Sequence, residues 1–311
     1  MPARLLYTGQ VVIDLVMPIE RLPQSGAEVL ARSADFAVGG GFNVMAAAAR
    51  NGLHTVYLGR HGQGRFGDLA RQAMQEEGVE IATATCAGQD TGLSVALVEA
   101  SAERSFISYV GAEGGLSTDD LRCVQVSPED YVFVSGYSLA HPNKVTALLA
   151  WLGALPSATT VAFDPGPLID SPDSAPMQAM LPLITLWTSN REEALRFTGC
   201  QTLEDALHSL IASLREDALI VVRDGPAGCW VHHAGQTQHI PGFAVSAVDT
   251  NGAGDAHAGV LLANLANGHS VANAARRANA AAAIAVTRWG PATAPGSAEV
   301  DTWVQLVSEP I

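Results

Sequence analysis

The chain has 311 residues and a formal net charge of −14, and 48% of its residues are hydrophobic. This length and composition predict a globular protein with a sizeable core and exclude a fibrous or disordered chain. The acidic balance argues against a nucleic-acid partner, because phosphate backbones are bound by clustered Lys and Arg.

Cysteine spacing and apolar runs indicate neither a zinc site nor a membrane. The four cysteines, at positions 86, 123, 200 and 229, contain no CxxC pair, so we expect reduced thiols. The first residues lack the apolar core of a signal peptide, and no run of about 18 apolar residues could cross a bilayer. We therefore expect a soluble, cytoplasmic protein without a membrane partner.

The N-terminal third predicts a small antiparallel sheet. Residues 11–37 and 91–112 contain short alternating strands and hairpin-like turns, as in TGLSVALVEASAERSFISYV. They do not fit a helix–strand alternation, and we interpret them as a lid that projects from the main domain.

Three glycines open a predicted helix in VGGGFNVMAAAARNG, residues 38–52. Gly39 to Gly41 would let the backbone contact a polar ligand while the amide of Asn43 bonds its hydroxyl groups. The alternative is a tight turn in which Asn43 caps the helix.

Strands and helices alternate in the middle of the chain. Strand-like runs at 131–137, 159–166, 184–190 and 218–225 are separated by segments with helical spacing. This alternation predicts an α/β fold with a mostly parallel sheet covered on both faces. Ligands of such sheets gather at the carboxyl ends of the strands, where Asp164, Asn190 and Asp224 lie.

The segment TSNREEA places Asn190 and Glu193 three residues apart at a helix start. They could hold Mg²⁺ through its waters. A capping box, either Ser189 with Glu192 or Asn190 with Glu193, explains the spacing as well.

The segment VVRDGPAGCW predicts a strand that ends in a turn from Gly225 to Gly228, and the later RRANAAAAIAVTRWG predicts a helix that contains Asn279. Both could line a nucleotide base, and tight packing explains them nearly as well.

The segment VDTNGAGDAHAG places Gly252, Ala253 and Gly254 directly before Asp255 and a predicted helix. Backbone N–H groups and the helix dipole suit a phosphate there without a lysine, and Lys144 is the only lysine of the chain. A carboxylate beside bound phosphate is electrostatically unfavourable. Its presence suggests that Asp255 has a task, which is to take a proton from an attacking hydroxyl. The alternative is a glycine turn with Asp255 as the helix cap.

In this order, GGGFN, SNREE, RDGPAG and DTNGAGD resemble the ribokinase-like carbohydrate kinases, the PfkB family. The resemblance covers most of the chain and implies a single kinase domain over residues 1–311. It implies a central, mostly parallel sheet flanked by helices, with a small antiparallel β lid that in several relatives also forms a homodimer contact. The implied activity transfers the γ-phosphate of MgATP to a hydroxymethyl group of a small carbohydrate.

The resemblance also implies roles for the residues at matching positions. The catalytic group comprises Asp255 as general base and the backbone of Gly252, Ala253 and Gly254 as an anion hole. The sugar-binding group comprises Asp14, Gly40, Gly41 and Asn43. The nucleotide group comprises Asn190, Arg223, Gly225, Gly228 and Asn279. The metal group comprises Asn190 and Glu193 for Mg²⁺, through water, and Asp249 for a monovalent cation such as K⁺.

Three departures from the family pattern limit what can be carried over. Arg223 stands where relatives often have Thr, which affects the nucleotide contacts. His61 and Gly64 replace a hydrophobic residue and an aspartate of the GxVGxDxxG pattern. Phe42 is bulkier than the usual neighbour of the sugar-binding asparagine, so the identity of the sugar does not follow from the family.

Four alternatives to a simple sugar kinase remain. A nucleoside kinase could stack a base on aromatic residues 36, 42, 106 and 109. A phosphosugar kinase is disfavoured by few basic lid residues beyond Arg21, Arg32 and Arg104. A dinucleotide oxidoreductase lacks GxGxxG after the first strand. A silent sugar-binding relative is opposed by the intact GAGD segment.

Overall fold

A nine-stranded sheet forms the centre of the computed structural model, which describes residues 2–100, 104–169 and 171–306. Its strands, in spatial order, are β13 (Gln236–Pro241), β12 (Gly228–His233), β11 (Leu219–Arg223), β10 (Leu186–Asn190), β9 (Thr160–Asp164), β8 (Tyr131–Ser135), β1 (Arg4–Tyr7), β4 (His54–Tyr57) and β5 (Glu80–Ile81). Neighbouring strands from β11 to β5 are parallel, and β12 and β13 add an antiparallel edge. The predicted strands of the middle of the chain are confirmed as β8 to β11.

Helices cover both faces of this sheet because successive strand residues point in opposite directions. Leu186 packs into one apolar cluster and Trp187 into the other. The helices of the first face are α1 (Gly41–Arg50), α2 (Arg65–Glu76), α8 (Ala253–Ala266) and α9 (Val271–Ala285). Those of the second are α3 (Thr118–Arg122), α4 (Pro142–Leu152), α5 (Ala175–Met180), α6 (Arg191–Thr198) and α7 (Leu203–Ser213). A last helix, α10 (Ser297–Leu306), packs on α9.

The predicted small sheet is present, and its central pair differs from the prediction. It has the order β3 (Asp35–Gly40), β2 (Val11–Pro18), β6 (Leu93–Val98) and β7 (Arg104–Tyr109). The two outer pairs are antiparallel as predicted, whereas β2 and β6 are parallel. The chain passes through α1, β4, α2 and β5 between β3 and β6 and re-enters the small sheet in the direction of β2. A local hairpin pattern in the sequence cannot reveal that long-range crossover.

His61 and Gly64, the two departures from the family pattern in segment 59–67, are accommodated by neighbouring side chains. The Oδ atoms of Asp90 accept hydrogen bonds from the backbone of residues 66 and 67 at 3.1 and 2.8 Å, at the start of α2. A β-carbon on Gly64 would lie 2.4 Å from Asp90, so Asp90 fills the space beside this glycine. His61 is buried between Arg71 and the carbonyl of Thr83, and its burial lowers its pKa.

No helix among the described residues is both long and apolar enough to span a bilayer. Phe42, considered above as a pocket or stacking residue, is 6% exposed and belongs to the core. Of the other aromatic residues considered for base stacking, Phe36 contacts Phe66 and Arg65, and Phe106 and Tyr109 are exposed on β7.

Candidate active site

The candidate site lies where the carboxyl ends of β9, β10 and β11 meet the start of α8. Parallel strands deliver their last residues to one edge of the sheet, here Asp164, Asn190 and Arg223. Asp255, in the first turn of α8, interacts electrostatically with Asp164 and Arg223. Side chains from distant parts of the sequence are therefore gathered at one edge.

A hydrogen bond between Asn43 and Asp255 joins α1 to α8. Nδ2 of Asn43 donates to Oδ2 of Asp255 at 3.0 Å, although the residues are 212 positions apart. Neither residue caps its helix, because the N-cap positions are Gly40 and Gly252. The two capping alternatives are therefore wrong, and both side chains face the site instead.

Burial raises the pKa of Asp255 to about 6, and the negative charges of Asp164 and Glu193 act in the same direction. The hydrogen bond from Asn43 and the positive charge of Arg223 oppose that increase. The carboxyl group is therefore mainly ionised at neutral pH and basic enough to accept a proton.

Glycine is required where the small sheet meets α1. Gly40 has a φ of 63°, and a β-carbon there would lie 2.8 Å from the carbonyl oxygen of residue 10. A β-carbon on Gly41 would lie 2.0 Å from the ring of Tyr7. These close approaches hold Asn43 over the start of α8. Its Oδ1 atom is buried and has no hydrogen-bond partner among the described residues.

Asp14 lies in the middle of β2, between Ala37 of β3 and Ser94 of β6. Its carboxylate lies against the backbone of Gly39, where a β-carbon would come within 2.0 Å of Oδ2. Burial raises its pKa to about 6. Asp14 thus presents a half-buried carboxyl group from the small sheet.

The start of α8 is shaped for close approach of a ligand to the backbone. Gly252 has a φ of 75°, and a β-carbon there would lie 1.8 Å from the carbonyl oxygen of Pro291. Ala253 and Gly254 form the first turn, in which backbone N–H groups lack intrahelical acceptors. Such a turn attracts anions through its N–H groups and the helix dipole.

Asn190 and Glu193 form the capping box that the sequence allowed. Oδ1 of Asn190 accepts the backbone N–H of Glu193, and Oε2 of Glu193 accepts that of Asn190, both at 2.8 Å. They lie with Pro167 and Arg196 along a groove of about 590 Å³. The capping box does not exclude metal binding, because the carboxylate of Glu193 has about four acceptor sites and the N–H of Asn190 occupies one of them.

The oxygen donors at this groove fit Mg²⁺ held partly by water and phosphate. Glu193 and Asp164 are near enough for the charge of Asp164 to raise the pKa of Glu193, after the larger effect of burial. Within the described part of the chain, no group of three His, Cys, Asp or Glu side chains could hold a metal directly. Mg²⁺ is commonly bound by one or two carboxylates, several waters and substrate phosphates.

Arg223 reaches from the end of β11 into this acidic region. Nη1 donates to Oγ1 of Thr188 at 2.7 Å, Nη2 donates to Oδ2 of Asp164 at 3.2 Å, and Nη2 lies 3.6 Å from Oε2 of Glu193. Its side chain is 11% exposed. The sequence marked this residue as a departure but could not show that its guanidinium lies between two carboxylates.

The predicted nucleotide turn connects β11 to β12. Gly225 has a φ of 55° and open space beside it, whereas a β-carbon on Gly228 would lie 2.2 Å from the carbonyl oxygen of Ile240. Gly225 is exposed and Gly228 is buried. Only the first of the two glycines therefore leaves room for a ligand.

Asn279 is buried behind that turn and is bonded to the protein. Its Nδ2 donates to the carbonyl oxygens of Ile240 and Pro241 at 3.0 and 3.1 Å, and its Oδ1 lies 3.1 Å from Nε2 of His257. Burial lowers the pKa of His257 to about 3, so this histidine is neutral and donates through Nε2. The amide of Asn279 thus joins α8, α9 and β13, and its nucleotide contact stays a prediction.

Asp249 is 7% exposed and links two loops beside the start of α8. Its Oδ1 accepts the backbone N–H of Asn251 at 3.0 Å, and its Oδ2 accepts that of Gly290 at 3.2 Å. The loop that carries Gly290 also packs against Gly252 through Pro291. This arrangement gives Asp249 a structural role, and cation binding there stays a prediction.

Sequence reasoning missed Tyr137, which follows β8 at the same edge of the sheet. A β-carbon on Gly166 would lie 3.5 Å from its ring. Burial raises its pKa, and four carboxylates add to the increase. In descending order of effect they are Glu193, Asp255, Asp14 and Asp164. An aromatic residue directly after a strand in YVFVSGY was the available signal.

Comparisons with known proteins show the family to which the chain belongs. The pfkB family carbohydrate kinase profile matches residues 3–297. The "uncharacterized sugar kinase YegV" of Escherichia coli (strain K12) is 34% identical over 301 residues, which cover 95% of this chain and 92% of that protein. The ATP-dependent ribose-1-phosphate kinase of Halopiger xanaduensis is 29% identical over 295 residues, covering 94% and 95%.

The fold is shared with a solved structure of a putative ribokinase II from E. coli in complex with ATP and Mg²⁺. That structure has a TM-score of 0.81 and 22% identity, and the match covers 98% of this chain and 99% of that one. The predicted αβα architecture with a small β sheet is thereby confirmed. The chain belongs to the pfkB family of carbohydrate kinases and is a phosphotransferase.

Proposed function

We propose that this kinase transfers the γ-phosphate of MgATP to a hydroxymethyl group of a small carbohydrate, with Asp255 as general base. The observation that carries the proposal is the hydrogen bond from Asn43 to Asp255. Asp255, whose pKa is raised, lies in the first turn of α8. The bond keeps its carboxylate next to Asn43, near the junction of the small sheet and α1. A hydroxyl bound there has both a base and an anion-binding turn within reach.

Proton removal and charge stabilisation are divided between side chain and backbone. Asp255 takes the proton of the attacking hydroxyl, which is typically worth about 10² to 10⁴ in rate. The backbone of Gly252, Ala253 and Gly254 offers N–H groups to the phosphoryl oxygens. Mg²⁺, when bound, would neutralise phosphate charge, and Asn190 and Glu193 would hold it through its waters.

Sugar recognition falls to the junction of the small sheet and α1. The half-buried carboxyl of Asp14 can accept hydrogen bonds from sugar hydroxyls, and the backbone at Gly40 and Gly41 allows close approach. The unpaired Oδ1 of Asn43 is a buried acceptor that a hydroxyl would satisfy. Tyr137 joins this group as a wall of the sugar site.

The nucleotide is assigned to the other side of the groove. The turn from Gly225 to Gly228 supplies main-chain groups, and α9 near Asn279 supplies packing. The E. coli structure of the same fold was solved with ATP and Mg²⁺, which supports this nucleotide and this metal as ligands. We also propose that K⁺ binds beside Asp249, close to the anion hole.

The small sheet is proposed to act as a lid and as the contact of a homodimer. Its edge strand β7 exposes Phe106, Ile107 and Tyr109 by 60 to 67%. An exposed edge strand with apolar side chains favours pairing with another chain.

Sedimentation of the wild type should give a dimer, and Ile107→Glu should shift it to monomer. A wild-type monomer would refute the contact.

The test is release of ADP from MgATP across pentoses, hexoses, ketoses, sugar acids, nucleosides and ribose 1-phosphate. Asp255→Ala should lose turnover on the accepted substrate by about 10²-fold or more while sugar binding stays measurable. Asp205→Asn is the matched control, because Asp205 occupies the same first-turn position in α7. Near-normal turnover by Asp255→Ala would refute the base assignment.

A further inference from the structure

Three carboxylates surround the place where the proposed reaction requires a highly charged phosphate. Asp164 and Glu193 lie 3.2 and 3.6 Å from the same atom, Nη2 of Arg223, and Asp255 follows Gly254, which lies beside that guanidinium, so the negative charges repel one another at short range. Adding a nucleotide phosphate chain to this region would increase the repulsion. A positive charge belonging to the protein would offset this repulsion, alongside the backbone dipoles and the Mg²⁺ that Asn190 and Glu193 would hold.

Arg223 supplies a positive charge at that position. An arginine guanidinium carries a permanent positive charge in proteins. Its ion pair with Asp164 and its bond to Thr188 fix the side chain from two neighbouring strands.

The guanidinium also lies against the anion-binding turn. A β-carbon on Gly254 would lie 3.4 Å from Nη2, 3.5 Å from Cζ and 3.6 Å from Nε of Arg223. Three consecutive atoms of a planar group at nearly equal distances indicate contact through its face. The guanidinium thus lies within ordinary van der Waals reach of the first turn of α8.

Arginine keeps hydrogen-bonding capacity in this position. A guanidinium has five N–H donors in a planar fork that matches phosphate oxygens. The hydrogen bonds to Thr188 and Asp164 engage two of them. The family's threonine offers one hydroxyl at this position and no charge.

We propose that Arg223 binds the phosphate chain of the nucleotide at the phosphoryl-transfer end of the site. This role rests on the proposed function and extends it. It assigns Arg223 to the phosphates, whereas the following turn, Gly225 to Gly228, contacts the nucleoside. Arg223 then offsets the repulsion between the phosphate and the surrounding carboxylates.

Calorimetric binding of ADP and of adenosine, each with EDTA and again with Mg²⁺, tests this role without using activity. Arg223→Thr should weaken metal-free ADP binding by about 10- to 100-fold and change adenosine binding by less than about twofold. The metal-free ADP affinity of Arg223→Lys should fall between those of the wild type and Arg223→Thr. Arg215→Thr is the control, because Arg215 precedes β11 at the opposite end and pairs with exposed Asp217.

The outcomes separate this inference from the function on which it rests. Unchanged ADP affinity in Arg223→Thr, or equal losses for ADP and adenosine, would overturn the phosphate contact and leave the kinase assignment intact. A wild type that binds neither ligand would overturn the nucleotide site together with the contact. If Arg223→Thr melts below the assay temperature, Arg223→Lys decides: a loss of about 3-fold or more confined to ADP supports the contact, and wild-type affinity overturns it.

Discussion

The proposed sugar side and the proposed nucleotide side of the site differ in how their polar groups are held. On the sugar side, burial raises the pKa of Asp14 and Asp255 to about 6, and Asn43 keeps an unpaired buried oxygen. On the nucleotide side, Glu193 and Asn279 already make hydrogen bonds within the protein. The proposed sugar side thus keeps one buried acceptor, Oδ1 of Asn43, without a partner, whereas Glu193 and Asn279 on the other side are paired within the protein.

This difference has a physical reason. A general base must remain basic, so it is desolvated and given few strong donors. Nucleotide phosphates and ribose can be bound by backbone and fixed charges, which work best when the surrounding side chains are locked in place. Substitutions on the sugar side should therefore affect catalysis and sugar affinity, and those on the nucleotide side should act through shape and charge.

The largest effect outside Asp255 is expected for Asp14→Asn. Asparagine has nearly the same shape as aspartate but is not a carboxylate. The KM for sugar should therefore rise about 10- to 100-fold, with a smaller change in kcat. Steady-state kinetics on the sugar identified by the panel would measure it. A reduced kcat at unchanged KM would move Asp14 from binding to chemistry.

Glu193→Gln should raise the Mg²⁺ concentration needed for half-maximal activity by about tenfold. Glutamine can still accept the backbone N–H of Asn190, so the capping box survives while the charge is lost. The Mg²⁺ titration should be unchanged in Glu204→Gln, which alters an exposed acidic residue at the start of α7. An identical titration in both variants would exclude Glu193 from metal binding.

Asn279→Ala should act mainly on stability. It leaves the carbonyl oxygens of Ile240 and Pro241 and the ring of His257 without their partner, at a cost of about 1 to 3 kcal/mol in the free energy of unfolding. Urea denaturation measures this cost, and adenosine binding below the transition measures the nucleotide site. Full stability with lost adenosine binding would return Asn279 to the nucleotide group.

The smallest effect is a pH-dependent gain of stability in Asp255→Asn. Burial raises the folded-state pKa from 3.8 to about 6, so the folded protein holds this proton more tightly than the unfolded chain. The wild type is therefore increasingly penalised from about pH 4, where the unfolded chain starts to ionise, to about pH 6; the penalty is complete above about pH 6 and absent below about pH 4. The melting temperature of Asp255→Asn should exceed that of the wild type by a few degrees at pH 8 and match it at pH 4. Equal melting temperatures at pH 8 would contradict the raised pKa.

The sequence could predict those parts of the molecule that depend on local chemistry. Glycines before a helix identified the turn at Gly252, and strand–helix alternation identified the parallel sheet. The parallel pairing of β2 with β6 was not predictable, because it depends on a crossover through four other elements. The position of Arg223 between Asp164 and Glu193 depends on side chains from three separate elements, which no local pattern encodes.

The pH dependence of kcat, measured from pH 5 to pH 8 at saturating sugar and MgATP, tests the role of Asp255 most directly. The base must be ionised to accept a proton, so activity should fall as pH falls toward the pKa of Asp255, which burial raises to about 6 in the unliganded protein. The residual activity of Asp255→Asn should show no such midpoint. A wild-type kcat that stays flat down to pH 5, or a midpoint that persists in Asp255→Asn, would contradict the assignment of Asp255 as the base.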